Sequence, residues 1–331
     1  MTDSGFKRTV AGLALLRVLP AAIVLVANGR SLPGFPGYRY GPPNGDTYGF
    51  YAAAREFISA WSHLSKTLLG FAVLVLIGCL ALAIRLWLGN RRAQAVVLVS
   101  CAGGLFVALG VHEMGLTGAG AVGWPIVWSI PLLPLRVVGV LDYHAAYYLG
   151  VALLLACNVV TVFATALIAR RLVPGRFALV APALLVAWPF LMRLVDGTGN
   201  IVYGSWLDDV GPLLYAEPLS TALVTVALAL AILRRADPLA GAFAGAVLGL
   251  SVAVRVSNAT IAVAIFFVTV LGTTRRTAVA HALAGIGTVM IAAEFWSRGY
   301  GSFKNHPSDQ APNGLFSLHY LARSWRDSSV F

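Results

Sequence analysis

Charge is what this chain has least of. Only 11% of its 331 residues are Asp, Glu, Lys or Arg, less than half the roughly 25% of a soluble domain. So few charges cannot cover a water-facing surface, which excludes an ordinary soluble enzyme. Cysteine is scarce too. Cys79, Cys101 and Cys157 all lie inside apolar runs, with no CxxC and no Cys/His metal spacing, so neither a disulfide framework nor a zinc site is indicated. No repeat of fixed period and no low-complexity tract is visible. The glycine-rich segment "GLTGAGAVGWP" is not followed by Lys-Ser/Thr and does not follow a strand, so it is no nucleotide-binding loop. It reads as a re-entrant or surface loop.

What is present is apolar length. The chain is 59% hydrophobic with a mean hydropathy of +0.81. Nine candidate spans of near bilayer length run at about 10–28, 64–88, 94–112, 144–169, 177–193, 212–233, 238–254, 257–273 and 278–296. The expected fold class is all-α, a polytopic transmembrane helix bundle of about nine spans with interfacial helices in the outer loops. The basic start and first apolar run lack a small-x-small cleavage site, so they read as a retained span.

The charges orient these spans. With the N-terminus inside, the inner ends carry Lys7, Arg8, Arg85, Arg91, Arg92, Arg170, Arg171, Arg176, Arg234, Arg235, Arg275 and Arg276. Only Asp3 and Asp237 oppose them. That satisfies the positive-inside rule. The net charge of +11 is therefore a topology signal, and no nucleic-acid partner is needed to explain it. The expected location is the cytoplasmic membrane, with the N-terminus inside and the C-terminus outside. A module over 1–296, with an outer loop at 30–63, precedes an extracytoplasmic tail over 297–331. Arg17 lies near the inner end of the first span, a place from which an arginine can snorkel.

Chemistry is therefore expected outside, where nearly all the acids lie. In "PPNGDTYGFYAAAREFISAW", Asp46 stands where a helix would start, after Pro42-Pro43 and Asn44-Gly45. Phe50, Ala54, Phe57, Ile58 and Trp61 then form an apolar stripe at helical spacing. This describes a helix lying in the membrane interface with rings down and charges up. Asp46 is either its N-cap or a general base at the membrane surface. Glu56 sits on the charged face as a solvated residue or a substrate contact. Glu217, near the outer end of a span, is costly there unless paired or wet, so it is either a candidate catalytic residue or a helix cap at the water boundary. Asp208-Asp209 are a candidate divalent-cation site or a solvated helix start. Arg255, with Ser257 and Asn258 beside it, is an outer exception to the positive-inside pattern. Its partner is a phosphate, which suits a guanidinium fork, an acid such as Glu217, or lipid head groups reached by snorkelling; on the first reading Arg255 and Asn258 are candidate substrate contacts. In the tail, His306 is a candidate contact for a sugar or a phosphate. His112 and Glu113 are helix neighbours that face apart and make no dyad. His281 reads as a packed core residue.

The outer-loop Asp followed by "Y…AAARE" resembles the GT-C superfamily of polyprenyl-phosphate-dependent membrane glycosyltransferases. "GWPIVWSIPLLPLRVVGVLDYHAAYYLG" is similar to the family's Pro-rich segment before a span. "EPLSTALVTVALALAILRRADPLAGAFAGAVLGLSVAVRVSNA" is similar to its Glu-led span, basic inner turn, Gly-rich span and outer Arg. The resemblance implies hexosyl or pentosyl transfer from a lipid-linked sugar donor entering from the membrane lipids, in the cell envelope. Asp46 would act as base, and an outer cation would hold the donor phosphate. Many members have two adjacent acids, whereas Thr47 follows Asp46 here. Two other classes stay open: a lipid or sugar transporter, and a non-catalytic binding or assembly subunit that works with another membrane subunit.

Overall fold

The computed structural model describes residues 3–28, 46–114, 123–196 and 216–305. Side chains are described there except at residues 20–21, 23–28, 46–48, 144, 189–196 and 296–305. Every described secondary-structure element is helical. In order, the helices are α1 (Asp3–Asn28), α2 (Asp46–Ala60), α3 (Lys66–Leu88), α4 (Arg92–Glu113), α5 (Gly123–Val137), α6 (Tyr143–Leu172), α7 (Val180–Asp196), α8 (Glu217–Leu233), α9 (Pro238–Val254), α10 (Asn258–Gly272) and α11 (Arg275–Asn305). A short 3-10 turn, Gly175–Leu179, precedes α7.

Among the described residues, four helical stretches are long and apolar enough to cross a membrane: Lys66–Leu88, Arg92–Glu113, Ala145–Leu172 and Arg275–Phe295. Shorter apolar stretches occupy Gly175–Trp188, Glu217–Leu233, Pro238–Val254 and Asn258–Gly272. The protein is a polytopic helical membrane bundle. Local signals set the helix ends. Asp142 accepts from the Ala145 N–H at 2.6 Å, and Asp237 accepts from the Leu239 N–H at 2.9 Å. Each thereby satisfies one of the free donors of a helix start. Asn90, at φ 59°, closes the tight turn between α3 and α4 in the left-handed region that Asn tolerates.

Side-chain contacts fix the helix directions. Gly241, Gly245 and Gly249 of α9 face Thr277, His281 and Gly285 of α11 in rising order, so these two helices are parallel. Helix α4 also runs parallel to α11: Cys101 Sγ lies 3.6 Å from the Leu283 carbonyl, and His112 meets Glu294. Helix α1 runs antiparallel to α6, with Arg170 on Asp3 and Arg17 on Asn158. The starts of α6 and α8 share one buried cluster containing Ala146, Tyr147, Ala216 and Leu219. One end of the bundle therefore gathers Arg91, Arg92, Arg170, Arg171, Arg234, Arg235, Arg275 and Arg276. The opposite end gathers Glu113, Asp142, Glu217 and Glu294.

The structure revises two of these readings and adds a helix. Arg17 does not snorkel. It is 7% exposed, and its Nε donates to Asn158 Oδ1 at 2.9 Å while Nη1 donates to the Leu185 carbonyl at 3.1 Å. It lies 14 residues into α1, about 21 Å along the axis, so it is too deep to reach water. The apolar stripe of α2 lies on protein. Ala53, Phe57 and Ala60 join Val111 and Met114 of the α4 end in one cluster, and Tyr51, Ala54 and Ile58 join Trp124 and Trp128 of α5 in another. The Pro-rich stretch after the glycine loop is itself a helix, α5, despite Pro131 and Pro134 inside it. Burial of Trp124, Trp128 and Leu132 offsets backbone hydrogen bonds that proline cannot make.

At the basic end, Asp3 accepts from Lys7 at 2.9 Å and from Arg170 at 2.5 Å. These two partners, Lys7 first, hold its carboxyl below the usual carboxylate range. A depressed carboxyl adds stability above its unfolded pKa and loses it as pH falls through the folded value. Asp3→Asn should therefore lower the melting temperature slightly at pH 7. The difference from wild type should close below about pH 4, as read by scanning fluorimetry in detergent.

Candidate functional site at the acidic end

Helix α9 ends at Val254, and after three intervening residues α10 begins at Asn258. The turn is closed by the Arg255 N–H on the Ser251 carbonyl at 2.9 Å and the Asn258 N–H on the Arg255 carbonyl at 3.0 Å. Arg255 is the last-turn cap of α9, and its Nη1 lies 3.1 Å from Oε1 of Glu217, the first residue of α8. The two are 38 residues apart in sequence. Their side chains are 50% and 34% exposed. A pair this open contributes about 0–1 kcal/mol to stability. It does little to hold the helices together, and its guanidinium can exchange the carboxylate for another anion.

What holds the helices together lies just beneath. Asn258 is buried at 6% exposure. Its Nδ2 donates to Ser220 Oγ at 2.8 Å and to the Ser251 carbonyl at 3.0 Å. One amide thus ties α8, α9 and α10 together and fixes Arg255 over Glu217. Of the residues singled out from the sequence, the fold brings together Glu217, Arg255 and Asn258, with Asn258 as the tie below the pair.

Beside this cluster stands an aromatic wall. Trp124 and Trp128 stack with centroids 5.4 Å apart and planes at 9°. Tyr51 of α2 sits 6.0 Å from Trp128 and 5.0 Å from Tyr143. Trp128 Nε1 donates to the Ala146 carbonyl at 3.1 Å. Trp124 Nε1 has no hydrogen-bond partner among the described residues. Helix α5 starts against Ala253 and Val254 at the end of α9, which places this wall next to Arg255.

Asp46 opens α2, as expected for a helix start, but its side chain is outside the described residues. Glu56 is half-buried on α2 and makes no ion pair among the described residues. Asp208, Asp209 and His306 lie outside the described residues. No group of three or more His, Cys, Asp or Glu side chains that could hold a metal occurs among the described residues.

Sequence reasoning missed one pair. His112 Nδ1 lies 2.8 Å from Glu294 Oε1, linking the end of α4 to the C-terminal half of α11. His63, after α2, sits 3.4 Å from the Glu113 carbonyl. Both His112 and Glu294 mark the polar ends of apolar runs. Only the parallel α4–α11 packing, across 182 residues, brings them together.

Neither family models, nor curated proteins, nor solved structures gave a match to this chain. The functional reading therefore rests on the residues themselves.

Proposed function

We propose that this chain is a membrane-embedded glycosyltransferase working at the acidic end of its bundle. It moves a hexosyl or pentosyl unit from a polyprenyl-phosphate donor to an acceptor hydroxyl. In this reading all nine apolar segments cross the bilayer. By the positive-inside rule the basic end faces the cytoplasm, so the N-terminus is inside, the C-terminus outside and the site extracytoplasmic. Arg255 exchanges Glu217 for the donor phosphate, a geometry that suits a guanidinium. Asp46, at the start of α2, takes the proton of the acceptor hydroxyl. The observation that carries this reading is the solvent-open Glu217–Arg255 pair on its buried Asn258 tie, beside the aromatic wall. The likeness of the surrounding segments to GT-C enzymes adds to it. Asp208 and Asp209 are the residues this reading would give to a divalent cation, and no step is routed through one.

A transport reading has one specific observation in its favour. Arg17 is an ionisable side chain buried in the middle of the α1–α6 pair, and such residues mark ion and substrate paths in many membrane proteins.

The test is sugar transfer by reconstituted protein from a panel of polyprenyl-phosphate sugars. Asp46→Asn should lower turnover by about 10²–10⁴-fold, the range for a general base. Arg255→Gln should chiefly raise the donor concentration needed. Unchanged transfer by Asp46→Asn makes Asp46 a helix cap. Absence of transfer by wild type with every donor and acceptor tried sinks the enzymatic reading in favour of a binding or transport subunit.

A further inference from the structure

Helix α5 has no face suited to water. In "GWPIVWSIPLLPLRV" the one charged residue is Arg136. One face carries Trp124, Trp128 and Leu132, all fully buried against the protein. The opposite face carries Ile130, Leu133 and Val137 at i, i+3 and i+7, and it is open. The turn that follows continues it with Val138 and Val140. Ile130 is 63% exposed, Val137 84% and Val138 67%. On a membrane bundle an exposed aliphatic face is a surface for lipid, and a helix apolar all round belongs in a covered environment.

The charge beside the patch indicates the occupant. Arg136 flanks it and donates from Nη1 to Ser59 Oγ of α2 at 3.1 Å. One turn back along α2, Arg55 lies over the Tyr51 ring at 5.7 Å. Both arginines are exposed, and neither is in an ion pair among the described residues. Two such cations beside a purely aliphatic surface complement an anionic headgroup above acyl chains. Tyr143 and Tyr148, at the start of α6, add the aromatic residues typical of the interface.

We propose that the open face of α5 and the turn Val137–Val140 form a bilayer-docking surface. The aliphatic side chains lie among the upper acyl chains, and Arg136 with Arg55 binds the phosphates of anionic lipids. The acidic end thereby gains an edge sunk into the membrane beside the aromatic wall. This inference stands on the membrane bundle alone and is independent of the sugar-transfer reading.

The test uses the full chain with its three cysteines replaced and single cysteines placed at Val137 and Val138. An environment-sensitive fluorophore is attached at each, and the protein is placed in nanodiscs. The expected result is blue-shifted emission, quenched by spin-labelled lipids and untouched by aqueous iodide. Shallow spin labels should quench more than deep ones. Arg55→Gln and Arg136→Gln should each lower the preference for phosphatidylglycerol over phosphatidylcholine by about five-fold, roughly what one surface cation supplies. Iodide quenching without lipid quenching would overturn the proposal in favour of a water-facing patch. Energy transfer between labelled copies in discs loaded with two chains, with no lipid quenching, would overturn it in favour of a second copy. Both positions are highly exposed, so labelling is compatible with folding. Scanning fluorimetry of each variant checks that.

Discussion

Gly245→Leu should yield no folded protein, and Gly245→Ala should already cost at least about 3 kcal/mol, the upper end of overpacking. A Cβ at this position would strike the His281 carbonyl, which is backbone and cannot swing aside. The helices cannot simply part. Gly241 on Thr277 and Gly249 on Thr288 hold the same seam one turn to either side. Small residues drive such pairing in bilayers, where lipid tails are as apolar as any side chain and close backbone packing supplies the attraction. Gly70 and Gly78 of α3 are the controls, since a Cβ at either meets nothing within 4 Å. Gly70→Ala should be neutral or gain up to about 1 kcal/mol from helix propensity. The check is monodispersity and thermal unfolding in detergent for all three variants. A well-folded Gly245→Leu protein would disprove the tight parallel seam.

The second large effect concerns Arg17, and its order runs against intuition. Asn158→Leu should be more damaging than Arg17→Met, although Arg17 is the charged partner. Removing Asn158 leaves a guanidinium buried at mid-helix with one acceptor fewer, and a lost hydrogen bond to a charged group costs more than one between neutral groups. Removing Arg17 takes the charge away and leaves a neutral amide whose Nδ2 still donates to the Leu154 carbonyl at 3.1 Å. The expected costs are about 2–3 kcal/mol for Asn158→Leu and about 1 kcal/mol or less for Arg17→Met. The double variant should resemble Arg17→Met. Unfolding in mixed micelles reads all three. Equal losses would mean that Arg17 acts through packing rather than charge. If Arg17→Met folds well yet abolishes solute uptake by proteoliposomes, the transport reading gains its residue.

The apolar helices were the legible part of this fold because bilayer length and hydropathy are local properties. The seventh expected span, 238–254, matches α9 residue for residue. The start of α2 at Asp46 was equally readable from the turn residues before it. Helix α5 was hidden by its own chemistry. Pro131 and Pro134 argue against a helix, and only the tertiary burial of two tryptophans overrides them. Arg17 was misread because depth in a helix depends on where the helix starts, and α1 begins seven residues earlier than its apolar run. The partners of Arg255 were narrowed to an acid or a phosphate, and the choice of Glu217 needed the antiparallel α8–α9 hairpin. The buried amide that holds the pair had no local signal, because Asn258 acts on residues 7 and 38 positions away.

The parallel trio α4, α9 and α11 also sets a timetable. The small face of α4, with Ser100 and Gly104, is covered by α11, and Cys101 meets a carbonyl 182 residues further along the chain. At about 5–20 residues per second, synthesis keeps α4 waiting on the order of 10–40 s for that neighbour. During this interval its small face must be occupied by lipid or by an insertion chaperone. The tightest seam of the bundle is therefore the last to close. A slowly translating ribosome lengthens the period in which the nascent protein is vulnerable to quality-control proteolysis.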